Sequence, residues 1–174
     1  MRGIDWQMVV EKHGSAVWQR AYRLLGNEAD ASECFQETFL SALKVSQRQY
    51  IYNFGGLLGR LATTRAIDKL RQRIRERRLG ADSDYPGEPE DRSPGPLVEV
   101  QRRELAVLLR EAIGNLPRLE AEVFSLRYFN DMSYRQISKE LGLQTSTVGT
   151  FLHRARKRLR EYLESDSGKN IQVI

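Results

Sequence analysis

The chain has 174 residues, enough for one domain or two small ones with real cores. Lys and Arg outnumber Asp and Glu by 28 to 23, a net charge of +5 that matters only where it is concentrated. A single cysteine, Cys34, excludes an internal disulfide, and no apolar run approaches the roughly 18 residues of a membrane span.

The N-terminus, MRGIDWQMVVEKHG, carries acids where a signal peptide is apolar, so a cytoplasmic chain without membrane insertion is expected. Apolar residues recur at three and four rather than two, which makes the fold class all-α. A first helix is expected from Asp5 to Leu25, with Val17, Trp18, Ala21, Tyr22 and Leu25 on one side and Gly26-Asn27 ending it. A second, from Ala31 to about Val45, opens on Asp30 and Glu33, a pair resembling a capping box, and carries Phe35, Phe39 and Ala42 inward. Cys34 reads as a core residue, with redox activity as the other option.

The loop SQRQYIYNFGG leads into a long third helix from Phe54 to about Arg78, with Leu58, Leu61, Ile67, Leu70 and Ile74 as its buried stripe. Its far half is strongly basic. Tyr50, Tyr52, Asn53 and Phe54 at its entrance have two readings: they stack on unpaired bases, or they plug the end of a three-helix core. Residues 80–98 then hold four of the five prolines and the acids Asp82, Asp84, Glu88, Glu90 and Asp91, the composition of a flexible Pro/Gly/acidic linker. Two small helical domains are therefore expected, 1–79 and 100–164, with a linker at 80–99 and a frayed tail at 165–174.

After the linker, Leu105, Leu108, Leu109, Ala112 and Ile113 define a helix ending at Gly114, and Pro117 opens the next in its first turn. Residues 133–160 then read as a helix-turn-helix. Ser133 and Gln136 form a capping box, Gly142 supplies the positive φ of the turn, and the second helix starts near Thr145 and buries Val148, Leu152, Ala155 and Leu159. Ser146, Thr147, Thr150, Arg154 and Arg158 face outward, a set of hydroxyl and guanidinium groups suited to groove edges and phosphates. An ordinary helical hairpin with a solvated basic face is the plain alternative. Two basic segments, 65–78 and 154–160, suggest two linked DNA contacts that gain from effective concentration. There is no nucleophile with a paired base, no phosphate-cradling glycine loop and no metal-ligand spacing, since His13 and His153 lie far apart. No catalytic activity, metal or cofactor is expected.

Three segments in order carry a family resemblance. DASECFQETFLSAL (30–43) resembles the polymerase-binding segment of extracytoplasmic-function sigma factors of bacterial RNA polymerase. LLGRLATTRAIDKLRQRIRERR (57–78) resembles their promoter-melting helix, and residues 116–159 resemble their winged-helix-like region 4. The resemblance implies that Asp30, Glu33, Gln36, Glu37 and Phe39 lie on the helix that docks on the clamp helices of the polymerase largest subunit. It implies that Asn53, Arg60, Thr64, Arg65, Lys69 and Arg71 meet the minus-ten element as it melts, with Asp68 as an internal partner for nearby arginines. It further implies that Ser146, Thr147, Thr150, Phe151, His153 and Arg154 read the minus-thirty-five element, with Arg156, Lys157 and Arg158 nearer the DNA backbone. Core RNA polymerase, including its flap, promoter DNA and an anti-sigma factor are the implied partners, and the linker would follow the RNA-exit path. Two departures stand out: Val148-Gly149-Thr150-Phe151 where the family commonly has Val-Lys-Ser-Arg, and Leu57 where it often has Trp. A helix-turn-helix regulator that never joins polymerase, and a polymerase-binding adaptor without specific DNA recognition, are the rival readings.

Overall fold

The computed structural model describes residues 3–80 and 96–171, the last few as backbone only. Most of the linker therefore lies outside the described residues. Those described form seven helices and no strand: α1 (Trp6–Leu25), α2 (Glu28–Ser46), α3 (Phe54–Arg78), α4 (Pro96–Asn115), α5 (Arg118–Tyr128), α6 (Tyr134–Leu141) and α7 (Thr145–Ile171).

The helix ends follow from local chemistry. Asp5 caps α1 by accepting from the Met8 N–H at 3.1 Å, and Gly26 ends it with φ 74°. The capping expected at Asp30 is instead made three residues earlier. Asn27 is the N-cap of α2 and accepts from the Asp30 N–H at 2.9 Å, because the chain leaves Gly26 already turned into the new helix. Asp30 thus sits inside the first turn, where its charge complements the helix dipole. Asn53 caps α3 by accepting from Gly56 N–H at 3.0 Å. The Ser133–Gln136 capping box forms reciprocally, at 2.8 and 3.2 Å, and Gly142 takes the left-handed φ of 64° expected of the turn.

Each half has its own core. Val17, Ala42, Leu57, Leu58 and Ala62 anchor the first, with Phe35, Phe39, Phe54 and Trp6 packed around them. Val123, Leu126, Ile137, Val148 and Leu152 anchor the second. On α3 the buried stripe is Leu57, Leu58, Ala62, Ala66, Ile67, Leu70 and Ile74, so Leu61 stands half-buried at its edge. Leu105, expected inward on α4, is 55% exposed, since the packed face of that helix begins only about a turn later.

A third core joins the halves. Ala21, Leu24, Leu25, Ala66, Ile67 and Leu70 from α1 and α3 meet Ala112, Ile113, Leu116, Ala121, Ala155 and Leu159 from α4, α5 and α7. Each large side chain buried there contributes about 1.5–3 kcal/mol. The α3–α4 crossing is close because Gly114 has no side chain: a Cβ there would lie 2.5 Å from Ile74 Cδ1 and 3.4 Å from Leu70 Cβ. The sequence reading expected two small helical domains joined by a linker, and this shared core is an addition to it. Sequence periodicity shows that a face is apolar, and the face that each helix offers the other half continues the stripe that it offers its own. Helix α7 runs past Ser165 to Ile171, and Tyr162 packs on the shared core.

Candidate polymerase and nucleic-acid interface

The second helix presents two different faces. Cys34, Thr38 and Ala42 are buried, and Cys34 donates weakly to the Ala62 carbonyl at 3.5 Å. Burial pushes the Cys34 thiol up to about 11, so no thiolate forms near neutrality and the residue is a core group. Ala29, Glu33, Gln36, Leu40 and Leu43 form the exposed stripe, at spacings of four, three, four and three. Leu40 and Leu43, which sequence reading did not single out, are 58% and 36% exposed. An exposed apolar pair in that repeat suits packing against another helix. The available signal was their position on the face opposite Cys34, Thr38 and Ala42. Phe39 itself is half-buried, its ring 4.9 Å from Phe35, so it supports the stripe from behind, and Glu37 is half-buried as well.

Two sets of residues expected to meet different partners touch each other. Asp30 pairs with Arg73 and lies 3.6 Å from Lys69, which also pairs with Glu33. Burial works against the Asp30 charge, but hydrogen bonds from Arg73 and Asn27, with the charges of Arg73 and Lys69, hold its carboxyl below the ordinary range. A carboxyl with a depressed folded-state pKa contributes stability above its unfolded pKa and loses it as pH falls through the folded value. Asp30→Asn is therefore expected to lower stability at pH 7 by about 1 kcal/mol, discounted for exposure, and to narrow the gap to wild type below pH 3. Urea midpoints at both pH values check this; an equal gap at both would refute it.

The aromatics of the loop before α3 divide between core and surface. Phe54 packs edge-on against Trp6 at 5.8 Å, within the first core. Tyr50 and Tyr52 are 76% and 91% exposed, with ring centroids 4.7 Å apart. They form an aromatic platform beside the exposed cap residue Asn53.

The polar face of α3 is occupied by the other half of the chain. Arg60 lies 3.8 Å from Glu140, Thr64 donates to Glu122 at 3.5 Å, and Arg71 donates to the Leu116 carbonyl. Asp68 is 3.4 Å from Arg118, an internal partner but on the second half, and buried Asn130 donates to Thr63 at 2.8 Å. Burial pushes the Glu140 carboxyl up against the pull of Arg60 and Lys139, so that ion pair offsets a desolvation cost rather than acting as a strong clamp. Arg65 is exposed and donates to Ser41 at 3.0 Å.

The helix-turn-helix leaves its reading face open. Ser146, Thr150, His153, Arg154, Arg156 and Lys157 are exposed, and Thr147 is half-exposed. Arg158 pairs with buried Glu120 at 3.0 Å and is thereby turned toward the body of the protein. Phe151 packs partly on the second core, which removes much of its ring from the groove-facing surface. A Cβ at Gly149 would meet only Tyr134 Cε2, at an ordinary 3.6 Å. Gly149→Ala is therefore expected to stabilise the protein by about 1 kcal/mol through helix propensity. Thermal unfolding checks that gain, and a parallel loss of duplex affinity would show that DNA approaches the backbone at this position.

Among the described residues no cluster of His, Cys, Asp and Glu has metal-site geometry, and no helix is long and apolar enough to cross a membrane. Residues 9–76 match the family model for Sigma-70 region 2, and residues 106–159 match that for Sigma-70, region 4. The chain is 33% identical over 169 residues to the ECF RNA polymerase sigma factor SigE of Mycolicibacterium smegmatis, covering 97% of this chain and 65% of that protein. It is 29% identical over 164 residues to the ECF RNA polymerase sigma factor SigW of Bacillus subtilis, covering 89% and 87%. Among solved structures, CnrH in complex with the cytosolic domain of CnrY shares the fold with a TM-score of 0.57 at 21% identity, over 92% of this chain and 88% of that one. The sigma factor RpoE, in complex with the anti-sigma factor NepR from Bartonella quintana, does so with a TM-score of 0.53 at 20% identity, over 93% and 98%. With region 2 on the helices that bear the α2 stripe and the tyrosine platform, and region 4 on the helix-turn-helix, the chain belongs to the extracytoplasmic-function sigma factors of RNA polymerase, within the sigma-70 family.

Proposed function

We propose that this chain binds core RNA polymerase through the exposed stripe of α2, reads two promoter elements and helps to open the duplex, with no covalent chemistry of its own. The observation that carries the reading is the pairing, in one chain, of the Leu40–Leu43 stripe with an exposed helix-turn-helix reading face. Asp30, Glu33, Gln36, Glu37 and Phe39 build or support the polymerase face. Ser146, Thr147, Thr150, His153 and Arg154 contact the minus-thirty-five element, with Arg156 and Lys157 on its phosphates. Tyr50 and Tyr52 stack on bases freed at the minus-ten element, where unstacking costs a few kcal/mol per base that aromatic stacking offsets. Arg65, exposed and hydrogen-bonded to Ser41 at the surface, joins them, whereas Arg60, Thr64 and Arg71 become available only when the halves part.

The working protein is cytoplasmic, and its partners include an anti-sigma factor. The exposed Leu97, Val100 and Leu105 on the outer part of α4 offer an apolar face for such a partner. Run-off transcription with purified core polymerase over a genomic promoter library tests the main reading. Promoter-specific transcripts that need this chain support it, and the absence of both transcript and core complex would overturn it.

A further inference from the structure

Between α3 and the start of α5 the two halves line an open cleft of about 750 Å³, a size common among small-molecule sites. Its wall carries five guanidinium groups: Arg71, Arg75 and Arg78 from α3, Arg118 from the first turn of α5, and Arg158 from α7. Their partners do not balance them. Arg118 lies 3.4 Å from Asp68 and 3.3 Å from Glu122, and Arg158 lies 3.0 Å from Glu120. Among the described residues, Arg71 and Arg78 are engaged by neutral acceptors, the Leu116 carbonyl and the Asn115 side chain. Among the described residues Arg75 makes no side-chain hydrogen bond or ion pair, and Arg71 Nε is buried without an acceptor.

Among the described residues, five guanidiniums thus face three carboxylates. Helix α5 adds its positive end to the same wall, since its N-cap is Pro117 and no side chain caps it. Planar guanidinium forks converging from several directions match the oxygens of linked phosphates. A single carboxylate or chloride would leave most of these donors unused.

We propose that this cleft binds a small oligophosphate, with two or more linked phosphates as in a nucleoside diphosphate or triphosphate, and that the bound anion holds the two halves together. The five guanidiniums converge on one cleft from three helices instead of running along one surface, which favours a small anion over a DNA backbone. Because the arginines come from both halves, only the packed arrangement forms the site. A ligand present at ten times its Kd therefore favours that arrangement about elevenfold. The binding stands apart from the sigma-factor reading. Its consequence, competition with promoter DNA for the polar face of α3, rests on that reading.

The test is calorimetric titration of the full chain with inorganic tripolyphosphate and, separately, with a short duplex DNA. One saturable tripolyphosphate site is expected, weakened at least tenfold by Arg75→Glu with Arg78→Glu, and unchanged by the distant pair Arg135→Glu with Lys139→Glu. Arg75 and Arg78 are exposed, so the reversal spares the cores; Arg118→Gln, expected to weaken binding about threefold or more, provides an independent variant should the double reversal misfold. The absence of tripolyphosphate binding, or equal weakening by both charge-reversed pairs, would overturn the site. So would a loss confined to duplex binding, which would make the cluster a DNA-backbone contact.

Discussion

Replacing Leu40 by Asp is expected to weaken binding to core RNA polymerase by about thirty- to hundred-and-fifty-fold, a loss of about 2–3 kcal/mol. Leu40 sits in the middle of the α2 stripe with Gln36 and Leu43 on either side, and its side chain is 58% exposed in the free protein. An apolar side chain of that size, held on a rigid helix whose other face is fixed by Cys34, Thr38 and Ala42, has the properties of an interface anchor. A carboxylate there would be driven into a desolvated contact without a partner. Since Leu40 contributes little to the folded core, thermal stability should stay within about 0.5 kcal/mol of wild type. Surface-plasmon measurement of core binding, with a melting curve on the same sample, separates the two effects. If both Leu40→Asp and Leu43→Asp bound core normally, α2 would not be the docking helix.

The second large effect is expected from Gly114. Alanine at this position meets Ile74 Cδ1, a side-chain end that can rotate aside, and should be tolerated. Leucine also meets Leu70, whose Cβ lies 3.4 Å and whose backbone carbon lies 3.6 Å from the Gly114 Cβ position, and neither can move without shifting α3. Overpacking of this kind costs about 1–3 kcal/mol. Set against the packed arrangement, that shifts the open-to-closed ratio by about 5- to 150-fold. Gly114→Leu should therefore raise the radius of gyration above the roughly 16 Å expected of a compact chain of this length, without loss of helical circular dichroism. It should also free Arg60, Thr64 and Arg71, and so increase affinity for a single-stranded minus-ten oligonucleotide. Unchanged scattering would mean that the shared core tolerates the wedge, and the closed arrangement would then not be governed by this crossing.

The two predictions meet in one picture. On the proposed function, polymerase approaches a stripe that is exposed in the closed chain, whereas Arg60, Thr64 and Arg71 of α3 are engaged by the second half. An oligophosphate in the arginine cleft would oppose separation of the halves.

The helix-turn-helix was legible in the sequence almost residue by residue. Its capping box, its left-handed Gly142 and the buried Val148, Leu152, Ala155 and Leu159 all depend on neighbours within a few positions, and local chemistry decides them. The limits of α1 and α3, and the core position of Cys34, were legible for the same reason. The start of α2 was misplaced by three residues, because two residues one helical turn apart, Asn27 and Asp30, can both cap and only the exit direction from Gly26 selects between them. What the tertiary structure alone decided was the pairing of distant groups. It joined Asp30 and Glu33 to Lys69, set Arg158 on Glu120, covered Arg60 and Arg71, left Leu40 outside and gathered five arginines from three helices around one cleft. Helical periodicity records that a residue faces inward or outward. Which remote charge or side chain it meets depends on how helices cross, and a position as small as Gly114 sets that.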